Sequence, residues 1–293
     1  MPAGTGAPAC PNIGSPHAGR LATGPLELPE PPLTHTRFSA PRLALALLGS
    51  ILILFIVGPL VRLLFMASPA GLGRALADPE LQASIVLTVL CASAATAIAA
   101  LLGVPLAYLL ARARFPGRRL LQGIVDLPVV VPHPVAGIAL LLFLGRHSLV
   151  GGALASAGLE FVSHVPGIVA GMLFVSAPLL VSGAREAFAT VDPKLERVAR
   201  SLGDTAWASF RRVTLPLAGR GILAGSILAW ARSVSEFGSI VILTYNPKVA
   251  SILIFDRFTA YGLSAAVPAA VLLLMVALAV FALVRLVEPK EQR

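Results

Sequence analysis

The sequence predicts an all-α membrane protein of six transmembrane helices with both termini cytoplasmic. Three observations predict it. The first is composition: 57% of the 293 residues are hydrophobic and only 13% are charged, against roughly 25% charged in soluble domains. The mean hydropathy of +0.86 says the same. The second is spacing. Residues 43–61, 81–111, 127–145, 161–184 and 258–284 carry no Asp, Glu, Lys or Arg, and 221–245 is interrupted only by Arg232 and Glu236. Each interval approaches or exceeds the roughly 20 residues that cross a bilayer core. The third is the distribution of basic residues among the connections.

Each apolar interval becomes a helix because lipid offers backbone groups no partners. The expected spans are 43–66, 84–111, 121–144, 165–183, 221–245 and 264–286. The connection after the second span holds Arg112, Arg114, Arg118 and Arg119; that after the fourth holds Arg185, Lys194, Arg197, Arg200, Arg211, Arg212 and Arg220. With Arg20, Arg37 and Arg42 before the first span and Arg285, Lys290 and Arg293 after the last, seventeen of the 23 basic residues share one side. Five, Arg62, Arg74, Arg146, Lys248 and Arg257, fall on the other. The positive-inside rule makes the richer side cytoplasmic. The net charge of +9 is therefore a membrane-topology signal, not a nucleic-acid surface. Two cysteines, Cys10 and Cys91, exclude a disulfide scaffold and a thiolate metal cluster.

Residues 1–42 hold nine of the 24 prolines and five glycines without apolar periodicity, the composition of a disordered cytoplasmic tail. They lack the layout of a cleaved signal peptide. A start codon placed upstream of the natural one would give the same composition, and no function is assigned to the segment. Residues 288–293 form a short C-terminal tail.

The connection 185–219 is patterned. Asp192-Pro193 reads as an N-cap and first helical residue, and Leu195, Val198, Ala199 and Leu202 recur at helical spacing. Gly203 ends that helix. Asp204 or Thr205 caps a second one through Trp207, Phe210 and Val213, which Pro216 is expected to stop. Such a pair can lie in the headgroups with its arginines on anionic lipid, or dock a soluble partner.

Glu196, Ala199, Leu202 and Gly203, then nine residues, then Val213-Thr-Leu215-Pro216, resemble the signature loop of ABC importer permeases: Glu-Ala-Ala, three residues, Gly, nine residues, Ile-x-Leu-Pro. The Gly-to-Pro spacing matches without a gap. Arg197 and Val198 depart from the pattern, Glu196 stands one place early, and Val213 replaces isoleucine. The resemblance covers residues 43–287 and implies a type I importer-like permease whose 185–219 loop couples to a separate ATPase. It implies two permease subunits as a homodimer, two ATP-binding subunits that hold the ATP and Mg, and an extracytoplasmic substrate-binding protein, all in a bacterial or archaeal plasma membrane.

The chain itself carries no phosphate-cradling Gly-Lys-Ser/Thr, carboxylate pair, metal-ligand cluster or nucleophile triad. It is expected to be a non-catalytic subunit without a cofactor of its own. Arg232 and Glu236, at i and i+4, form an ion pair inside a span, either lining the path beside Ser235 or locking the helix to its neighbours. Pro132, His133, Pro134 and Gly137 interrupt the third span, as a gate segment or as an interfacial start. This stretch also resembles oxyanion importer permeases. The 229–238 and 244–262 segments resemble their molybdate and tungstate branch, with the sulfate and thiosulfate branch as the alternative. Lys248 and Arg257 are read as solvated interfacial charges rather than as contacts to a binding protein. A stand-alone secondary transporter is the rival from another class; it would need coupling-ion carboxylates, which the spans nearly lack, and has no use for the patterned loop.

Overall fold

The computed structural model describes residues 40–287, with side chains over 43–283. The expected tails lie outside the described residues, apart from the backbone of 40–42. The described residues fall into two units, divided between Leu54 and Phe55. Every element among the described residues is helical. In order these are α1 (Ala40–Met66), α2 (Pro69–Leu76), α3 (Pro79–Arg112), α4 (Arg118–Val130), α5 (His133–Leu144), α6 (Leu149–Ser156) and α7 (Val165–Thr190). There follow α8 (Pro193–Ser201), α9 (Ala206–Ser209), a π-helical turn (Phe210–Thr214), α10 (Leu215–Val234), α11 (Ile240–Leu243), α12 (Ala250–Tyr261) and α13 (Leu263–Val287).

Five helices are long and apolar enough to cross a membrane, and the bent pair α4–α5 makes up to six. Four of the five fall where uncharged intervals predict them, and the other, Ala206–Val234, overlaps the expected 221–245 only in part. The third expected span, 121–144, is not one straight helix: α4 and α5 meet at 114°. Val131 and Pro132 separate them, and Pro132 and Pro134 have no N–H to carry a helical ladder through. The fifth span also differs, since α10 stops at Val234 rather than running to 245. In the non-helical stretch between α10 and α11 the Glu236 carboxylate takes the Ser239 N–H at 2.8 Å and its hydroxyl at 3.0 Å.

The core of the larger unit is built by α3, α7 and α10. Helices α3 and α7 run parallel: Cys91, Ala92 and Ala95 pack with Ile168 and Met172 near their starts, and Ala107 and Leu110 with Val181, Ala184 and Phe188 near their ends. Helix α10 runs antiparallel to α7, and small residues bring the two backbones together. A Cβ on Gly183 would lie 3.0 Å from the Gly225 Cα, and one on Gly221 would lie 2.5 Å from the Ala187 Cβ. Trp230 closes the α10–α3 contact by donating its indole N–H to Ser93 at 3.2 Å.

The connection expected over 185–219 is shorter as irregular chain, because α7 continues to Thr190 and α10 begins at Leu215. Pro216 does not stop the second short helix. Instead the π turn opens just before it, with the Leu215 N–H bonding back to the Phe210 carbonyl. That wider turn absorbs the N–H the proline lacks and lets α9 feed into α10. The stretch 244–262, read as a connection, contains the twelve-residue α12.

Candidate functional site

At the arginine-rich end, two short helices project around a glycine. Asp192 caps α8 by accepting the Lys194 N–H at 2.8 Å, and Thr205 caps α9 by accepting the Ala208 N–H at 3.2 Å. Gly203 sits at φ +103°, a conformation that ends α8 at little cost only without a side chain. An exposed apolar face results: Leu202 is 83% exposed and Trp207 69%, with Leu195 and Val198 beside them. Ala199 is half-buried, Leu215 half-buried and Pro216 exposed.

Glu196 points away from that face. Its Oε1 accepts the Thr214 hydroxyl at 2.7 Å and the Arg112 Nε–H at 3.1 Å, and its Oε2 accepts the Tyr108 hydroxyl at 3.2 Å. Arg112 also donates to the Val191 carbonyl at 2.8 Å. The same tyrosine is the centre of an aromatic row. Its ring lies edge-on to Phe188 at 5.4 Å and to Phe210 at 4.6 Å, and Phe210 stacks on Trp207 at 5.4 Å. The row links the exposed face to Phe188, which is fully buried.

The second cluster joins residues that stand far apart in the chain. Arg232 Nη2 donates to Glu236 Oε2 at 2.8 Å, and His133 Nδ1 lies 3.3 Å from the same oxygen. Arg232 Nη2 also lies 2.6 Å from His133 Nε2, and its Nη1 donates to the Ser235 hydroxyl at 3.2 Å. Glu236 is 1% exposed, whereas the His133 and Arg232 side chains keep 44% and 25% of their surface. Two glycines let the segments meet. A Cβ on Gly137 would lie 2.7 Å from the Ser239 carbonyl oxygen, and one on Gly238 would lie 2.6 Å from the His133 Cβ. The two candidates read separately from the sequence, the proline-rich segment and the Arg232–Glu236 pair, are one site. Pro132 and Pro134 are exposed at the start of α5 and, lacking a backbone N–H, donate no hydrogen bond to these charged groups.

The opposite end carries ion pairs. Arg257 bonds to Asp78 and lies 3.5 Å from Glu80, while Lys248 Nζ lies 2.7 Å from Asp256. These two cations are thus paired across or within elements, not simply solvated as their isolated positions suggested. Partial burial pushes the Asp78 carboxyl up, but hydrogen bonds from Arg257 and from the Leu81 and Glu80 N–H groups outweigh it and hold the carboxyl below its usual value. Asp256 behaves alike under Lys248 and Tyr245. Among the described residues no group of His, Cys, Asp or Glu could hold a metal ion.

The family described as "Binding-protein-dependent transport system inner membrane component" matches residues 103–293. The chain belongs to that family. The match contains both clusters and the α8–α9 loop. Relatives extend the likeness over most of the chain. It is 43% identical over 243 residues to the molybdate/tungstate transport system permease protein WtpB of Thermococcus kodakarensis, covering 82% of this chain and 93% of that one. It is 38% identical over 187 residues to the molybdenum transport system permease protein ModB of Mycobacterium tuberculosis, covering 64% and 71%. The fold resembles that of a bacterial alginate ABC transporter crystallised with a pentasaccharide-bound periplasmic protein, at a TM-score of 0.68, 19% identity, and coverage of 85% and 96%. The family expectation drawn from the 185–219 loop is therefore borne out, and the chain is a multi-pass transport subunit of an inner-membrane system.

Proposed function

We propose that this permease moves molybdate or tungstate into the cell as the membrane subunit of an ABC importer. The 43% identity to a molybdate/tungstate permease over 82% of the chain carries the proposal. The bent pair α4–α5 counts as one crossing, so six spans leave both termini cytoplasmic, in agreement with the arginine distribution. Two copies form a homodimer in a bacterial or archaeal plasma membrane, two ATPase subunits bind and hydrolyse ATP with Mg, and an external binding protein delivers the oxyanion.

In this reading Leu202, Trp207 and their neighbours seat in the ATPase, where aromatic and aliphatic anchors give most of the interface energy. Ala199 and Gly203 set the shape of that docking helix, while Leu215 and Pro216 begin the span behind it. The His133–Arg232–Glu236 cluster, with Pro132, Pro134, Gly137 and Ser235, forms the gate segment: a bent helix held to the end of α10 by charges that must be satisfied at every step.

The test is uptake by proteoliposomes holding the permease, the ATPase and the binding protein. ATP-dependent accumulation of radiolabelled tungstate or molybdate, displaced by either ion and weakly by sulfate, is the expected result. Preferential uptake of sulfate assigns the sulfate branch instead. Uptake without an ATPase assigns a secondary transporter.

A further inference from the structure

We infer that Glu196 is a positioning residue: an internal clasp that fixes the docking helix to the membrane core, rather than a contact to the ATPase. The inference rests on the importer reading above and specifies which bonds carry motion from the loop to the spans.

A docking helix joined to the spans only by flexible chain would move without moving them. Here one side chain of α8 is tied directly to α3 and to the residue that precedes α10, and through Arg112 to the end of α7. Thr214 lies at the start of α10, Arg112 ends α3, and Tyr108 lies one turn earlier on α3. Arg112 then reaches the Val191 carbonyl at the end of α7. The backbone joins in, since the Ser209 hydroxyl donates to the Glu196 carbonyl at 3.3 Å, closing α8 against α9. The carboxylate and the guanidinium are 18% and 15% exposed. Ion pairs this sheltered are screened less by salt than surface pairs are. Three of the roughly four acceptor sites of the Glu196 carboxylate are taken by Thr214, Arg112 and Tyr108, which leaves the side chain little to offer a partner. The exposed apolar face is on the other side of the helix, so docking and clasping use different surfaces. A push on Leu202 and Trp207 is thereby delivered to α3, α7 and α10 together, the three helices that form the core.

The experiment compares wild type with Glu196→Gln and Thr214→Val in the full complex. Thr214→Val keeps shape and removes only the 2.7 Å donor. Both variants should retain the ATPase through purification and continue to hydrolyse ATP, while oxyanion uptake per ATP falls at least tenfold for Glu196→Gln and less for Thr214→Val. A second readout needs no partner: amide exchange over 193–214 of the permease in detergent should rise at least tenfold in Glu196→Gln, with α3, α7 and α10 unchanged. Loss of the ATPase from either variant overturns the clasp, because it makes the residue a docking contact. So do unchanged uptake per ATP, or unchanged exchange over 193–214. If the wild-type complex itself shows no ATP-driven uptake, the importer reading has failed, and the exchange comparison alone decides the clasp.

Discussion

Two glutamates stand at opposite ends of α10, each accepting hydrogen bonds from several partners, and they differ chiefly in burial. Glu196 keeps 18% of its side-chain surface and Glu236 keeps 1%. Glu196 lies beyond the apolar spans, beside a loop whose outer face is open; Glu236 lies where the chain leaves a membrane helix. A carboxylate near water that loses a partner can recover part of the loss by hydration. A carboxylate out of water cannot, and its removal strands the cation beside it. The comparison separates two roles that look alike as bond lists. Losing Glu236 should therefore cost the fold more than losing Glu196, while losing Glu196 should act chiefly on how motion of the loop reaches the spans.

The largest effect tests that division directly. Glu236→Ala should destabilise the permease by about 3–5 kcal/mol, the range for breaking a buried ion pair by removing one partner. Thermal melting in detergent reads it. The paired variant with Arg232→Ala should recover part of the loss, since no cation is then left unpaired. Glu196→Ala should cost clearly less in the same assay. Equal losses for the two alanine variants would remove burial as the deciding difference.

A smaller effect sharpens the comparison at the loop. Leu202 is 83% exposed, so Leu202→Asp should leave melting within about 0.5 kcal/mol of wild type. The same change places a charge at the centre of the proposed ATPase seat. Retention of the ATPase should fall about thirtyfold, the equivalent of about 2 kcal/mol at an interface anchor. A variant that melts early, or that retains the ATPase fully, would show that the apolar face is covered by something within the permease.

Part of this was legible in the residues alone. Long uncharged runs located four of the five long helices, because length and apolarity suffice for such a helix. Local capping chemistry gave Asp192 and Gly203. The Arg232–Glu236 pair was visible because i and i+4 share a face. What escaped was whatever required distant chain. His133 is 99 residues from Arg232, and Arg112 is 84 from Glu196, so nothing local announces either partnership. The end of α10 at Val234 escaped for another reason. The apolar run through residue 245 hides a break, in which the Glu236 carboxylate takes a backbone N–H from Ser239. The π turn before Pro216 escaped because a proline reads locally as a stop, yet a wider turn can carry the helix past it.

The smallest expected effect lies at the end of the molecule remote from the α8–α9 loop. Asp78 caps α3 by accepting the Glu80 N–H at 3.0 Å and the Leu81 N–H at 3.3 Å, and it pairs with Arg257 of α12. Its folded carboxyl is held below the ordinary value of 3.8. A depressed carboxyl contributes stability that is fully present above the unfolded value and is lost as pH falls through the folded one. Asp78→Asn keeps an oxygen for the cap and removes the charge, so it should melt below wild type near neutral pH. The gap should close as the medium is taken well below pH 3.8. Solvent screening at this partly exposed site limits the gap to less than about 1 kcal/mol, and high salt should shrink it further. A gap that stays constant with pH, or widens on acidification, would mean that the carboxylate is not what holds α12 to the start of α3.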